Sequence, residues 1–287
     1  MALLNQINMK LNQIVDKEVD QNGIESEYLW DLSKRESWLD LNRVNLSTFE
    51  VDFSFSGWAY IKNLMTLPNN QFFGLKIRNS DNDHDYLFIS DKKVNVKIIE
   101  KFPKNPYDWD LISCFYDDSI FIFACYEQEG KFYTCAKRYI ISQNKWIYFS
   151  SLDFGIFNSC IGLKQKIIII QNGSESGAWV YDILLDNYYF YKNIRIGNLY
   201  FCTFIQDLGK IYLIGRDGEF DTELYNIHTF DDPLSEWTFL GYYNNIPICN
   251  YFTHYKGSIY FVRDQIYEFS LKNFETRKIF NNSKFKI

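Results

Sequence analysis

A chain of 287 residues with 47 % hydrophobic and 19 % aromatic residues carries enough apolar surface for a large core, which excludes a disordered chain. Its formal net charge of −6 excludes the broadly basic face needed for binding through nucleic-acid phosphates. The chain has no apolar run of roughly 18 residues and its first residues lack the regions of a secretory signal, so we expect a cytoplasmic protein that binds neither membrane nor nucleic acid.

The first 27 residues differ from the rest because they contain no aromatic residue. Four of their apolar residues follow helical spacing: Leu4, Ile7, Leu11 and Ile14. We therefore expect a helical N-terminal extension over 1–27, followed by a single domain over 28–287. The extension either packs on that domain or docks on another chain.

From residue 28 onward the sequence has β character. The stretch "EYLWDLSKRESWLDL" at 27–41 is typical of two consecutive strands, and "STFEVDFSFS" at 47–56 alternates like another strand.

A strong β-run then recurs at steps of about 47 residues, which predicts a repeat architecture. The five runs are "QFFGLKI" from Gln71, "SIFIFAC" from Ser119, "KIIIIQN" from Lys166, "KIYLIGR" from Lys210 and "SIYFVRD" from Ser258. A short apolar stretch precedes each run and two further strand-like stretches follow it. Each unit therefore has four strands, as a β-propeller blade does.

Pairs of aromatic residues seven apart mark the last two strands of a unit. The pairs are Tyr139 with Trp146, Tyr181 with Tyr188, and Tyr267 with Phe274. We predict that each pair lies on adjacent antiparallel strands and fixes the register of the hairpin. The remaining unit keeps Tyr225 and Trp237 with a longer turn between them.

These residues resemble the kelch repeat, which also builds the central domain of the galactose-oxidase type, over roughly 70–280. The chain departs from the kelch pattern in lacking a Gly-Gly doublet in "FACYEQEG", "IQNGSESG", "LIGRDGE" and "FVRDQ". The resemblance implies an all-β propeller of four-stranded antiparallel blades. We predict six blades, with five as the alternative, and a sixth blade completed partly by "SKFKI" at 283–287.

Three arginines occupy corresponding positions just after the strong strand of their units: Arg78, Arg216 and Arg263. In kelch propellers the matching loop contributes to the partner-binding face, so the resemblance implies that the three guanidinium groups bind an acidic segment of a protein partner. The alternative is that each arginine pairs with a nearby aspartate, namely Asp81, Asp217 or Asp264.

Aromatic residues in two loops are further candidates for partner binding: Tyr107, Trp109, Tyr242 and Tyr243. Exposed tyrosine and tryptophan side chains are good anchors in protein interfaces. The alternative is that they pack between blades.

Catalytic and metal-binding signatures are absent from the sequence, and we predict no cofactor. His84, His228 and His254 lie far apart, and the six cysteines form no metal-ligand spacing, so we expect free thiols. The favoured hypothesis is a non-enzymatic protein-interaction platform that can act as one subunit of an assembly. The alternatives are a carbohydrate-active propeller enzyme, either a glycoside hydrolase or a sugar epimerase, and a sugar-binding lectin.

Overall fold

A computed structural model describes residues 28–35, 38–45, 47, 50–58, 61–67, 71–76, 85–90, 96–102, 110–128, 131–150, 156–172, 177–192, 199–207, 210–217, 225–230, 238–243, 252–262 and 266–279. All regular secondary structure in these residues is β, with 23 strands. The all-β prediction is therefore confirmed. The predicted extension over 1–27 lies outside the described residues.

The described strands form six sheets, in which hydrogen-bonded neighbours follow one another in chain order. Sheet 1 contains β1 (Tyr28–Arg35), β2 (Trp38–Asn45) and β3 (Glu50–Trp58). Sheet 2 contains β4 (Ile61–Leu67), β5 (Gln71–Lys76), β6 (Asp85–Ser90) and β7 (Val96–Phe102). Sheet 3 contains β8 (Asp110–Tyr116), β9 (Ser119–Gln128), β10 (Lys131–Ile140) and β11 (Lys145–Tyr148).

The C-terminal half of the chain continues the same arrangement. Sheet 4 contains β12 (Ile156–Leu163), β13 (Lys166–Asn172), β14 (Gly177–Asp182) and β15 (Asn187–Lys192). Sheet 5 contains β16 (Leu199–Asp207), β17 (Lys210–Asp217), β18 (Tyr225–Phe230) and β19 (Thr238–Tyr243). Sheet 6 contains β20 (Phe252–Tyr255), β21 (Ser258–Val262), β22 (Ile266–Ser270) and β23 (Thr276–Ile279).

The second strand of every four-stranded sheet begins at the residue that the sequence predicts. These strands are β5, β9, β13, β17 and β21. In β13 the four isoleucines Ile167 to Ile170 are each at most 1 % exposed, so this strand is buried on both faces. A strand buried on both faces appears in sequence as a continuous apolar run without alternation.

The four-stranded meander sheets confirm the predicted blade architecture. Sheet 1 shows three strands among the described residues, and the segment 283–287, predicted to complete a blade, lies outside them. The count of six blades therefore stays a prediction.

The described residues divide between two compact units. The first holds those within 109–215 and 227–240, and the second those within 25–108, 216–226 and 241–287. In the first unit, one core cluster joins sheets 3 and 4 and a second joins sheets 4 and 5. Cys114 and Cys160 are buried in the first of these clusters. Both are free thiols, as is the half-buried Cys135.

Two of the three predicted aromatic pairs are confirmed. Tyr139 lies opposite Trp146 on β10 and β11, with ring centroids 5.0 Å apart. Tyr181 lies opposite Tyr188 on β14 and β15, with centroids 4.8 Å apart. Each pair connects the last two strands of its sheet, as the spacing predicts.

The third predicted pair is wrong. Tyr267 lies opposite Lys278, and Phe274 lies in the turn before β23 with a φ of 58°. The residues at the equivalent place are Phe269 and Thr276, which are also seven apart. The spacing of seven is therefore correct, but the repeat begins two residues later in the chain than the aromatic residues indicate.

Two-residue turns join the first two strands of sheets 3, 4 and 6. Both residues of each turn have positive φ: Asp117 and Asp118, Lys164 and Gln165, and Lys256 and Gly257. Positive φ at both positions is typical of the type I′ turn, whose twist matches that of antiparallel strands.

Candidate interaction surface

The turns between the third and fourth strands have the same backbone structure in sheets 3, 4 and 6. In each, the first turn residue donates its backbone N–H to the carbonyl of the neighbouring two-residue turn: Ile141 to Asp118 (2.9 Å), Ile183 to Gln165 (3.0 Å) and Leu271 to Gly257 (3.0 Å). The fourth turn residue has positive φ in each: Asn144 (51°), Asp186 (48°) and Phe274 (58°). The three turns can therefore be compared position by position.

The two middle positions distinguish the turn of sheet 4 from the other two. They are Ser142 and Gln143 in sheet 3, Lys272 and Asn273 in sheet 6, and Leu184 and Leu185 in sheet 4. Leu184 is 73 % exposed and Leu185 is 65 % exposed. Because polar residues make the same turn elsewhere in the chain, the turn itself does not require leucine. We call Leu184 and Leu185 the leucine turn.

Asp182, at the end of β14, holds the leucine turn in place. Its Oδ1 accepts hydrogen bonds from the backbone N–H groups of Leu184 (3.0 Å) and Leu185 (3.1 Å). Its Oδ2 forms an ion pair with Lys166 Nζ at 2.6 Å. The hydrogen bond from Lys166 lowers the pKa of Asp182, and those from the two backbone N–H groups lower it further.

Asp186 connects the leucine turn to the chain that follows β11. Its Oδ1 accepts hydrogen bonds from the Tyr181 hydroxyl (2.9 Å) and from Ser150 N (3.2 Å). Tyr188 donates its hydroxyl to the Ser150 carbonyl at 2.6 Å. Burial is the main cause of the raised pKa values of Tyr181 and Tyr188, so both hydroxyls are held in the protonated form that donates.

Aromatic packing supports the same connection between sheets 3 and 4. The Phe149 ring is stacked on that of Tyr181, with centroids 4.6 Å apart and an interplanar angle of 22°. Phe149 also contacts Phe121 and Phe123 of β9. The two exposed leucines are therefore presented by a turn whose backbone is fixed from two sides. A surface fixed before binding loses less conformational entropy when a partner binds.

Exposed aromatic side chains lie on the fourth strands of the sheets that neighbour the leucine turn. They are Tyr148 on β11 (67 % exposed), Tyr189 and Phe190 on β15 (43 % and 47 %) and Phe239 on β19 (47 %). Tyr148 has an ordered environment despite its exposure, because Lys137 Nζ lies 5.9 Å from its ring centroid and 4.6 Å from that of Trp146. Aromatic side chains at such positions are typical anchors of protein interfaces.

Of the arginine and aromatic residues that the sequence predicts to bind a partner, the structure describes the backbone of three. Arg216 is near the end of β17, and Tyr242 and Tyr243 end β19, although their side chains lie outside what is described. Four others lie outside the described residues: Arg78, Arg263, Tyr107 and Trp109. In the meander order each second strand finishes at the end of its sheet opposite the leucine-turn position. Whether the three arginines share one face stays a prediction.

The sequence contains a signal for the leucine turn that strand patterns alone do not reveal. Aligning "YIISQNKW" with "YDILLDNY" places Ser142 and Gln143 opposite Leu184 and Leu185. The sequence predicts a strand over "AWVYDIL" at 178–184, which includes Leu184. The structure ends that strand at Asp182, whose carboxylate accepts a hydrogen bond from the turn that follows.

Within the part of the chain that the structure describes, no group of three or more histidine, cysteine, aspartate or glutamate side chains is arranged to hold a metal ion. The described residues also contain no helix long and apolar enough to cross a membrane.

No family model matches the chain, and no curated protein matches it in sequence. Solved structures do match it. The nidogen/laminin complex aligns with a TM-score of 0.55 at 9 % identity, over 87 % of this chain and 90 % of that one. YjhT aligns with a TM-score of 0.56 at 11 % identity, over 76 % and 83 %. Oligogalacturonate lyase in complex with manganese aligns with a TM-score of 0.52 at 10 % identity, over 93 % and 88 %.

At these identities the likeness establishes the fold alone. The neighbours are β-propellers, and this chain is an all-β propeller of four-stranded antiparallel blades. They include both a protein bound to another protein and an enzyme, so the fold is compatible with either class of function.

Proposed function

We propose that the protein is a protein-interaction platform, a kelch-like propeller that presents blade-turn residues to a protein partner as one subunit of a larger assembly. The observation that carries this proposal is the leucine turn. Leu184 and Leu185 are exposed at positions where sheets 3 and 6 carry polar residues, and Asp182 and Asp186 fix the turn that presents them.

Burial of the leucine turn in an interface would supply a substantial share of the binding free energy. Burying one leucine side chain fully contributes about 1.5–3 kcal/mol. Two leucines that are already about a third buried therefore contribute about 2–4 kcal/mol together. A micromolar complex needs about 8 kcal/mol. We assign the remainder to neighbouring side chains, of which Tyr189 and Phe190 on β15 are the exposed aromatic residues nearest in sequence.

The proposal also includes a second binding surface, formed by the loops that contain the three arginines. Arg78, Arg216 and Arg263 bind an acidic segment of a partner, with Tyr107, Trp109, Tyr242 and Tyr243 as aromatic contacts. These loops follow the second strands, so in any one sheet they lie at the end opposite the leucine-turn position. The two surfaces can therefore be tested separately. The proposal also includes a cytoplasmic location, a single domain over 28–287 and a segment 1–27 that either packs on this domain or docks on another chain.

Four described carboxylates make structural contacts, which supports the proposed platform. Asp182 is paired with Lys166, Glu268 accepts a hydrogen bond from Arg277, and Asp118 Oδ2 accepts one from Ser142 N. Asp186 holds Tyr181 and Ser150. Each of these four groups therefore has a structural role, and the alternative of a glycoside hydrolase would have to use two other carboxylates that face a substrate.

The test is affinity purification from the native cell with two matched baits in addition to the unmodified protein. The bait Leu184→Ser/Leu185→Gln takes the residues that sheet 3 uses at the same turn positions, so the turn is expected to be preserved. The control bait Ser142→Ala/Gln143→Ala changes the equivalent turn of sheet 3. We expect the leucine variant to lose at least one partner that the control retains, as quantified by mass spectrometry.

The partner identified in this way is then purified and its affinity measured. Loss of both leucines is expected to weaken binding by about 2–4 kcal/mol. Replacing Arg216 by Ala tests the second surface with the same partner. A leucine variant that captures every protein captured by the unmodified chain, with equal affinity, would refute the platform built on this turn.

A further inference from the structure

Cys114 and Cys160 lie on the first strands of two neighbouring sheets and take no part in the proposed binding surfaces. Cys114 is on β8 and is 6 % exposed, and Cys160 is on β12 and is 8 % exposed. Both are thiols in this structure, and both belong to the core cluster that joins sheets 3 and 4. Two buried thiols in one cluster can react with each other when their strands place them face to face.

The strands β8 and β12 lie side by side and run in the same direction. Tyr116, the last residue of β8, packs on Gly162, the last but one residue of β12. The two strands are neighbours over several residues and not at this point alone. Neighbouring strands that meet at their C-terminal ends are parallel, because in an antiparallel pair the end of one strand meets the start of the other. Two residues before this contact, each strand carries a cysteine.

The side chains of Cys114 and Cys160 are directed towards each other. In a regular strand, side chains two residues apart lie on the same face. Strand pairing is regular from Cys114 to Tyr116 in β8 and from Cys160 to Gly162 in β12. Cys114 therefore shares the face of Tyr116, and Cys160 shares the face that Gly162 presents to Tyr116. Ile161, between them, is on the opposite face of β12, since it belongs to the cluster that joins sheets 4 and 5.

The spacing of the two strands suits a disulfide bond. The two Cβ atoms of a disulfide are about 3.5–4.5 Å apart. At the contact two residues later, a Cβ atom placed on Gly162 would lie 2.5 Å from the Cβ of Tyr116. The strands therefore approach each other more closely there than a disulfide requires, and strands that separate slightly from this point reach the disulfide range at the two cysteines.

We propose that Cys114 and Cys160 are a redox pair that hydrogen peroxide oxidises to a disulfide between sheets 3 and 4. This goes beyond the proposed binding of a protein partner. The thiolate of one cysteine attacks a peroxide oxygen, which gives a sulfenic acid and one molecule of water, and the second sulfur then attacks the sulfenic sulfur and releases another. The two sulfur atoms lose two electrons, the peroxide gains them, and the two thiol protons end in the two water molecules.

Burial determines the rate and the consequence of this reaction. Buried thiols react slowly, so the pair is expected to stay reduced until peroxide accumulates. The disulfide closes a loop that contains β9, β10 and β11. A cross-link of this kind restricts the unfolded chain more than the folded one, so the oxidised protein is expected to be more stable.

The experiment compares the purified full chain before and after treatment with hydrogen peroxide. After the peroxide is removed, the thiols are alkylated in urea without reductant and disulfide-linked peptides are identified by mass spectrometry. In the treated chain we expect a peptide pair that joins Cys114 to Cys160 and that dithiothreitol separates. We also expect the treated chain to reach half-unfolding at a higher urea concentration than the untreated chain.

The control is Cys135→Ala, which removes a half-buried thiol on β10 and is expected to retain both the joined peptides and the shift in urea concentration. Cys160→Ala is expected to lose both. Because the peptides are identified in the unmodified chain, the test does not depend on the folding of a variant.

Three results would overturn the proposal. The first is a treated chain in which both cysteines are still alkylated under conditions that fully oxidise glutathione in a parallel sample. The second is a disulfide between Cys114 or Cys160 and a different cysteine. The third is a shift in urea concentration that Cys160→Ala retains. None of these results bears on the binding of a protein partner at the leucine turn.

Discussion

Tyr116 packs directly on Gly162 and so brings the first strand of sheet 3 against the first strand of sheet 4. A Cβ atom placed on Gly162 would lie 2.5 Å from the Cβ and 2.9 Å from the Cγ of Tyr116. The Tyr116 hydroxyl accepts a hydrogen bond from Gln165 N at 2.7 Å, which fixes the tyrosine across the two-residue turn of sheet 4. The distance between β8 and β12 therefore depends on the absence of a side chain at position 162.

Gly162→Ala is expected to destabilise the protein by about 2 kcal/mol or more, because the new methyl group overlaps with the base of a buried side chain that has no room to move. The measurement is the free energy of unfolding in urea. Ser159→Ala on the same strand is the control, since it removes an atom and adds none, and its effect is expected to be clearly smaller. Equal stability of Gly162→Ala and the unmodified chain would contradict the close packing of the two strands.

The tyrosines of the confirmed aromatic pairs also hold the turns beside them. Tyr139 donates its hydroxyl to Asn144 Oδ1 at 2.5 Å, and Tyr181 donates to Asp186 Oδ1. Tyr139→Phe is expected to cost about 1 kcal/mol and Tyr181→Phe about 1.5–3 kcal/mol, because a hydrogen bond to a charged acceptor is stronger. Unfolding in urea measures both. The control is Tyr189→Phe, which removes the hydroxyl of an exposed tyrosine on β15 and is expected to have a clearly smaller effect. A loss as large as that of Tyr181→Phe would show that the turn contacts are unimportant.

The positions of the strong strands could be predicted from the sequence because their residues are β-branched or aromatic and occur at a regular period. The strand that begins at Lys166 is the clearest example, since four consecutive isoleucines leave no polar face. Such a run specifies a buried strand without any knowledge of its neighbours.

The turns were harder to predict because their conformation depends on tertiary contacts. Lys164 and Gln165 both have positive φ, although neither is a residue that favours it, so no turn signature is visible. Leu184 and Leu185 are exposed because they occupy the two middle positions of the turn, and Asp182 connects that turn to the end of β14 through two hydrogen bonds. Apolar spacing counts leucine as a buried residue, so the strand-like stretch "AWVYDIL" at 178–184 includes Leu184.

Asp182 should make the stability of the protein depend on pH in the acid range. Its pKa in the folded protein lies below the ordinary value of 3.8, chiefly because Lys166 donates a hydrogen bond to it. A folded-state pKa below the unfolded value contributes stability that is present above the unfolded pKa and is lost as the pH falls through the folded pKa. Urea unfolding at a series of pH values is the measurement.

We expect the unmodified chain to lose stability more steeply below about pH 4 than Asp182→Asn, which has no carboxylate to protonate at this position. Asparagine keeps an oxygen that can accept the backbone N–H groups of the leucine turn, so the turn is expected to be preserved in this variant. Parallel pH profiles for the two proteins would show that the ion pair with Lys166 does not contribute to stability.

The turn of sheet 6 provides a test of whether the turns of sheets 3 and 6 share one backbone structure. The side-chain hydrogen bond of the sheet 3 turn can be introduced there by two substitutions. Phe274 has positive φ, which is unfavourable for an aromatic residue, and its ring lies 6.2 Å from that of Phe269. Sheet 3 has a tyrosine and an asparagine at these two positions, joined by a hydrogen bond. Phe269→Tyr alone places a hydroxyl at a fully buried position without this acceptor and is expected to cost about 1–3 kcal/mol.

Phe274→Asn alone relieves the backbone strain but loses the contact between the rings, so its net effect is expected to be within about 1 kcal/mol. In the double variant Phe269→Tyr/Phe274→Asn the new hydroxyl gains the acceptor that its counterpart has in sheet 3. We therefore expect the double variant to be more stable than the sum of the two single changes by about 1 kcal/mol or more. A double-mutant cycle from urea unfolding measures this coupling, and strictly additive effects would show that the turns of sheets 3 and 6 do not have the same structure.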